Sequence, residues 1–162
     1  MGSGEESEAE RLDRNFDDLL QELRVSQNGT QILFAFLLTV PFSNGFQKVS
    51  EFQRGVYFAA LLLAGLSAAM LIAPAAMHRI LFRHGLKKEL VETSTRVTLG
   101  GQIVLILAVA ASVFLIGDYL YGHAVGAVLA VAMGAYWTTW FFVVPLRIRR
   151  RHLGARSTAS ST

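Results

Sequence analysis

The chain has 162 residues, 52% hydrophobic and 17% charged, with a mean hydropathy of +0.42 and a formal net charge of +3. Soluble domains average about a quarter charged residues, so an ordinary soluble domain and a disordered chain are both excluded. The absence of cysteine excludes disulfides, thiolate metal sites and cysteine nucleophiles.

Residues 1–10, MGSGEESEAE, read as a disordered acidic tail. They lack an apolar core, so no signal peptide is expected. Glu6 stands where a myristoylation signal takes Ser or Thr. Over 11–24, Leu12, Phe16, Leu19, Leu20 and Leu23 fall on one face, which predicts a cytoplasmic amphipathic helix. Residues 1–24 carry eight acids against three arginines, a net of −5. A basic polar face would suit anionic lipid. This acidic one points to docking on protein, in particular on the chain's own basic segments 78–96 and 147–156. The other reading is a short interfacial lead-in to a span.

No charge occurs between Arg24 and Lys48, Arg54 and Arg79, Arg96 and Asp118, or Asp118 and Arg147. About 20 residues of helix cross a hydrocarbon core, and a charge at a span centre costs about 2.5–3.5 kcal/mol. Four spans are therefore predicted, at about 27–46, 55–77, 97–118 and 124–146. Together they make an all-α integral membrane four-helix bundle over 25–146, and 147–162 follow as a basic, then disordered, tail. The first span is the weakest, because SQNGTQ at 26–31 is polar; an interfacial or re-entrant segment is its other reading. Pro74 removes the backbone bond to the Met70 carbonyl and predicts a kink. Gly85 and Gly122 are the expected turns.

Lys and Arg mark the cytoplasmic side. With four spans, the side holding both termini collects thirteen of them and the other side two. Both termini are thus expected in the cytoplasm.

No HExxH, GxSxG or P-loop pattern occurs, and His78 and His84 do not share a helical face. No catalytic, cofactor or metal site is expected, and nucleic acid is not an expected partner. Gln27, Gln31, Ala35 and Thr39 form an i+4 stripe on the first span, and Gln102 lies early in the third. Such groups line a pore or make interhelical hydrogen bonds. Asp118 is the one acid near a span end, read either as an outer-mouth carboxylate or as a solvated loop acid. Gly126, Ala130 and Gly134 form a small-residue stripe suited to close helix packing, as do Ala60, Ala64 and Ala68.

Two stretches, RLDRNFDDLLQELRVSQNGTQILFAFLLTVPF at 11–42 and YFAALLLAGLSAAMLIAPAAMHRILFRHGLKKELV at 57–91, resemble a family of small actinobacterial membrane proteins of unknown function. Members often carry the name sodium:proton antiporter. The resemblance implies a bacterial plasma membrane and assigns no functional residue. The residues themselves favour a non-enzymatic scaffold, regulatory or assembly subunit whose partners are the lipid bilayer and a second copy or another membrane protein. The alternative is a small oligomeric ion transporter or channel. Because no ionisable group lies at membrane depth, Asp118 standing at the outer end of its span, sodium–proton exchange by the isolated protein is not expected.

Overall fold

The computed structural model describes residues 8–81 and 87–148, and these are helical throughout apart from short connections. Helix α1 (Glu8–Thr39) leads through two 3₁₀ turns, Val40–Phe42 and Phe46–Lys48, into α2 (Glu51–Leu81). Helix α3 (Lys87–Tyr121) turns at Gly122 into α4 (His123–Thr138), which passes through a π-helical turn, Thr139–Val143, and resumes as α-helix over 144–148. The α1–α2 and α3–α4 connections lie at one end of the bundle, the two-turn end. The start of α1, the end of α2, the start of α3 and the end of α4 belong to the opposite, terminal end.

Among the described residues, three helical stretches are long and apolar enough to cross a membrane: Glu51–Met77, Leu90–Tyr121 and His123–Ile148. Helix α1 falls short by its own composition, since Asn28 and Gln31 stand exposed in its middle. It is also unbroken from Glu8, so the amphipathic segment 11–24 and the segment starting at 25 form one rod.

Local sequence explains where the helices begin and end. Helix α2 opens with a capping box. The Gln53 N–H donates to Ser50 Oγ at 3.2 Å and the Ser50 N–H donates to Gln53 Oε1 at 3.0 Å, with Glu51 in the first turn. Helix α1 stops at Thr39 because Pro41 has no N–H for the Leu37 carbonyl four residues back. The Tyr57 hydroxyl of α2 takes over, donating to that carbonyl at 2.8 Å. Gly122 has φ 90° and ψ 170°, a backbone region essentially confined to glycine, and this lets a single residue turn the chain between α3 and α4.

The α2–α3 hairpin is the centre of the bundle. Helix α1 lies against both its helices, whereas α4 packs chiefly on α3. On α2 the buried residues are Tyr57, Ala60, Ala64, Ser67, Leu71 and Pro74; on α3 they include Leu90, Ser94, Thr98, Gly101, Leu105 and Ala108. Helix α1 contributes Leu23, Thr30 and Leu37 at seven-residue spacing. Alternating steps of three and four are the signature of nearly parallel helices in a left-handed bundle. The expected Ala60–Ala64–Ala68 stripe therefore departs from the seam after Ala64: Ala60 and Ala64 are fully buried and Ala68 only partly. A step of four residues drifts about 40° around a helix, and the next step of three brings the seam back to Ser67. The outer surface is apolar, with Ile32, Phe36, Leu62, Leu66, Ile103 and Leu107 all exposed.

Candidate functional site

The two-turn end carries a polar cluster drawn from three helices. Asp118, near the end of α3, has a side chain only 10% exposed. Its Oδ2 accepts a hydrogen bond from Gln53 Nε2 of α2 at 2.9 Å, and its Oδ1 lies 3.3 Å from Nδ1 of His123, the first residue of α4. The His123 side chain is 68% exposed, and its ring touches those of Phe52, at 5.3 Å between centroids, and Phe114, at 5.2 Å and nearly perpendicular. Gln53 serves two groups at once, its oxygen capping α2 and its nitrogen holding the carboxylate. The carboxylate also sits by the start of α4, where the helix dipole favours negative charge. The arrangement brings α2, α3 and α4 together at the Asp118 carboxylate. Among the described residues, no group of three His, Cys, Asp or Glu side chains could hold a metal ion.

Close backbone contact adds to this arrangement. A Cβ on Gly126 would lie 2.7 Å from the Asp118 nitrogen and 2.8 Å from the Phe114 carbonyl oxygen; one on Gly117 would lie 2.7 Å from Gly126 Cα. Of the small stripe on α4, Gly126 thus faces α3 directly. Gly134 also faces α3, but a Cβ there would meet only Ala110 Cβ, at 3.9 Å. Ala130 between them is half-buried.

The four polar residues read as intramembrane candidates do not converge. Gln27 turns inward, and its Nε2 donates to the Leu71 carbonyl of α2 at 2.7 Å, next to the Met70 carbonyl that Pro74 deprives of a donor. Gln31 is exposed. Thr39 is exposed and bonds its own helix at Phe36 O, 2.7 Å away. Gln102 is half-buried on α3. The i+4 stripe of α1 winds off the seven-residue seam for the same geometric reason as that of α2, so only its first member meets a neighbouring helix through a hydrogen bond. On α1, Leu23 is buried and Leu20 half-buried; the side chains of Leu12, Phe16 and Leu19 lie outside the described residues, as do the 1–7 portion of the acidic tail, His84, Gly85 and residues 149–162.

Sequence reasoning missed Gln53, although Ser50-Glu51-Phe52-Gln53 is a readable capping box. It also missed Ser67, whose hydroxyl donates to the Gly101 carbonyl across the α2–α3 seam at 2.9 Å. Ser94 and Thr98 were likewise not singled out; both hydroxyls are buried on α3 without a hydrogen-bond partner.

With this geometry in place, residues 5–145 match the model of a family of unknown function, DUF6328, and the chain belongs to that family. No curated protein and no solved structure matches the chain.

Proposed function

We propose that this DUF6328 member is a four-span protein of the bacterial plasma membrane, with both termini cytoplasmic, that acts as a non-enzymatic assembly or regulatory subunit. The observation that carries the reading is how polar side chains at membrane depth are used. Gln27, Tyr57 and Ser67 each donate to a backbone carbonyl of a neighbouring helix, two of them at or beside positions that prolines disturb. A bond of this kind adds about 0.6 kcal/mol and locks helix register. Polar groups spent on register do not line a path for a solute.

The same bonds support α1 as the fourth span. Gln27 meets α2 at Leu71 and Leu37 meets it at Tyr57, so α1 runs beside α2 over most of the apolar stretch Glu51–Met77. Within its polar stretch Gln27 is held by α2 and Thr30 by its own helix, whereas Asn28 and Gln31 stay exposed, so the support for α1 as a span is its contact with α2. The charge asymmetry of the sequence sets both termini on the cytoplasmic side. The acidic segment 1–24 then lies on the same side as the basic 78–96 and 147–156, where it can dock.

Introduced single cysteines test the topology. Labelling from outside intact cells is expected at Ser50 and Gly122 and absent at Ser7 and Ser157; external labelling at Ser7 refutes four spans. Native-membrane purification tests the assembly role, with a stoichiometric membrane protein partner expected. The second reading, a transporter, draws on the Asp118–Gln53–His123 cluster. A sodium-driven pH change in proteoliposomes that disappears in Asp118→Asn would establish it in place of the first.

A further inference from the structure

Helix α1 carries a second seam on the side turned away from the bundle. Gln21, Arg24, Asn28, Gln31, Ala35 and Leu38 follow one another in alternating steps of three and four, and all six are exposed. That is the spacing of the contact line in a two-stranded left-handed coil. It repeats the buried seam Leu23–Thr30–Leu37 about 130° further round the helix. The inner seam meets α2 and α3, whereas the outer one is left uncovered.

The register with α2 fixes the depth of each position. Gln27 bonds Leu71, and Phe34 lies against Gly65. Carried along α1, this register sets Gln31 about 5 Å and Asn28 about 10 Å from the level of the middle of Glu51–Met77. Half the hydrocarbon thickness is about 15 Å, so both carboxamides fall inside it with Ala35 and Leu38, while Arg24, about 16 Å out, reaches its edge. Neither Asn28 nor Gln31 has a hydrogen-bond partner among the described residues. Lipid chains can supply none.

We propose that the outer face of α1 is the interface of a parallel homodimer, in which Asn28 and Gln31 hydrogen-bond their counterparts in a second copy. The inference rests on the four-span reading, which puts α1 in the bilayer, and it names one partner of the assembly. Symmetry and chemistry select a second copy. A twofold axis along the membrane normal sets two α1 helices parallel, with each residue level with its own counterpart. A carboxamide donates through its nitrogen and accepts through its oxygen, so two identical ones satisfy each other. The seven-residue spacing holds Asn28, Gln31, Ala35 and Leu38 on one line of contact, and amides buried on such a line fix register and oligomeric state. Ala35 lets the backbones approach closely. Arg24 meets its counterpart at the headgroup layer, where its long side chain reaches water and the repulsion is screened.

The chain has no cysteine, so single introduced ones report contact in native membranes. Oxidation should join Ala35→Cys into a dimer and leave Phe36→Cys, 100° further round the helix, as monomer. In phosphatidylcholine bilayers, energy transfer between full chains labelled at Ser157→Cys gives the mole fraction at half dimerisation. That value should rise about tenfold in Asn28→Ala with Gln31→Ala and stay close to the parent value in Asn28→Gln, which keeps the carboxamide. The thermal transition of the dilute monomer in detergent should not fall in either variant, because both side chains are exposed. Monomers at every mole fraction, or cross-linking of the two cysteines alike, overturn the dimer while Ser7→Cys stays protected from outside. An Ala35→Cys adduct to a different protein, with no energy transfer between copies, assigns the face to that protein instead. External labelling of Ser7→Cys takes α1 out of the bilayer and overturns the four-span reading together with the dimer.

Discussion

The two ends of the α3–α4 hairpin are built differently from similar residues. At the two-turn end, glycine meets glycine with backbones touching, and Asp118 is tied to both Gln53 and His123. Toward the terminal end, a glycine on the same stripe stands off at ordinary van der Waals distance, α4 departs into a π turn, and the buried hydroxyls of Ser94 and Thr98 have no partners. A small residue therefore does not by itself make a tight contact. It permits one, and the turn at Gly122 decides where the permission is used, since helices joined by one residue are closest beside the joint.

The contrast can be broken most sharply at Gly126. Gly126→Ala pushes a Cβ into backbone atoms of α3 that cannot rotate away, so the loss should reach the upper part of the overpacking range of about 1–3 kcal/mol, read as a lower unfolding temperature in detergent. Gly122→Ala comes next. Its backbone region costs a side chain about 1–3 kcal/mol although the space around it is open, so the loss there is strain alone. Gln53→Ala removes the side-chain acceptor of the Ser50 N–H, half of the capping box, and a partner of the Asp118 carboxylate, and about 1–2 kcal/mol should go with them. Asp118→Asn in the Gln53→Ala background should then cost less than it does alone, because the two changes share one hydrogen bond.

At the looser end the expected effects are small and of opposite sign. Gly134→Ala meets only Ala110 at 3.9 Å and gains helix propensity, so stability should rise by up to about 1 kcal/mol. Thr98→Val swaps an unpaired buried hydroxyl for a methyl and should be neutral or mildly stabilising. A clear loss from Thr98→Val would mean that this hydroxyl holds a water or another ligand, and that the two ends differ less than their geometry implies.

Much of this was readable from particular residues. The charge-free gaps flanking Arg54, Arg79, Arg96 and Asp118 mark the three helices that are apolar enough to span, and Gly122 marks the hairpin. Helix α1 was the hard case in both descriptions: its polar 26–31 segment weakens it in sequence, and the same residues keep it below the hydropathy of a span. Which of them faces a partner depends on the seven-residue seam Leu23–Thr30–Leu37, which a stripe of i+4 spacing crosses rather than follows.

What the sequence determined by itself is composition along one dimension: where apolar helix can run, where proline and glycine interrupt it, and which segments collect arginine. Proline's missing N–H and glycine's missing Cβ act on their own neighbours, so their effects can be placed without a fold. Only the tertiary structure decided who answers them. That Tyr57 serves the carbonyl freed by Pro41, that Gln27 reaches α2 beside Pro74, and that Gln53 joins a helix cap to Asp118 are contacts across 20, 44 and 65 residues of chain. Such pairings follow from the register of packed helices, and register is a property of the surfaces in contact, which no single segment contains.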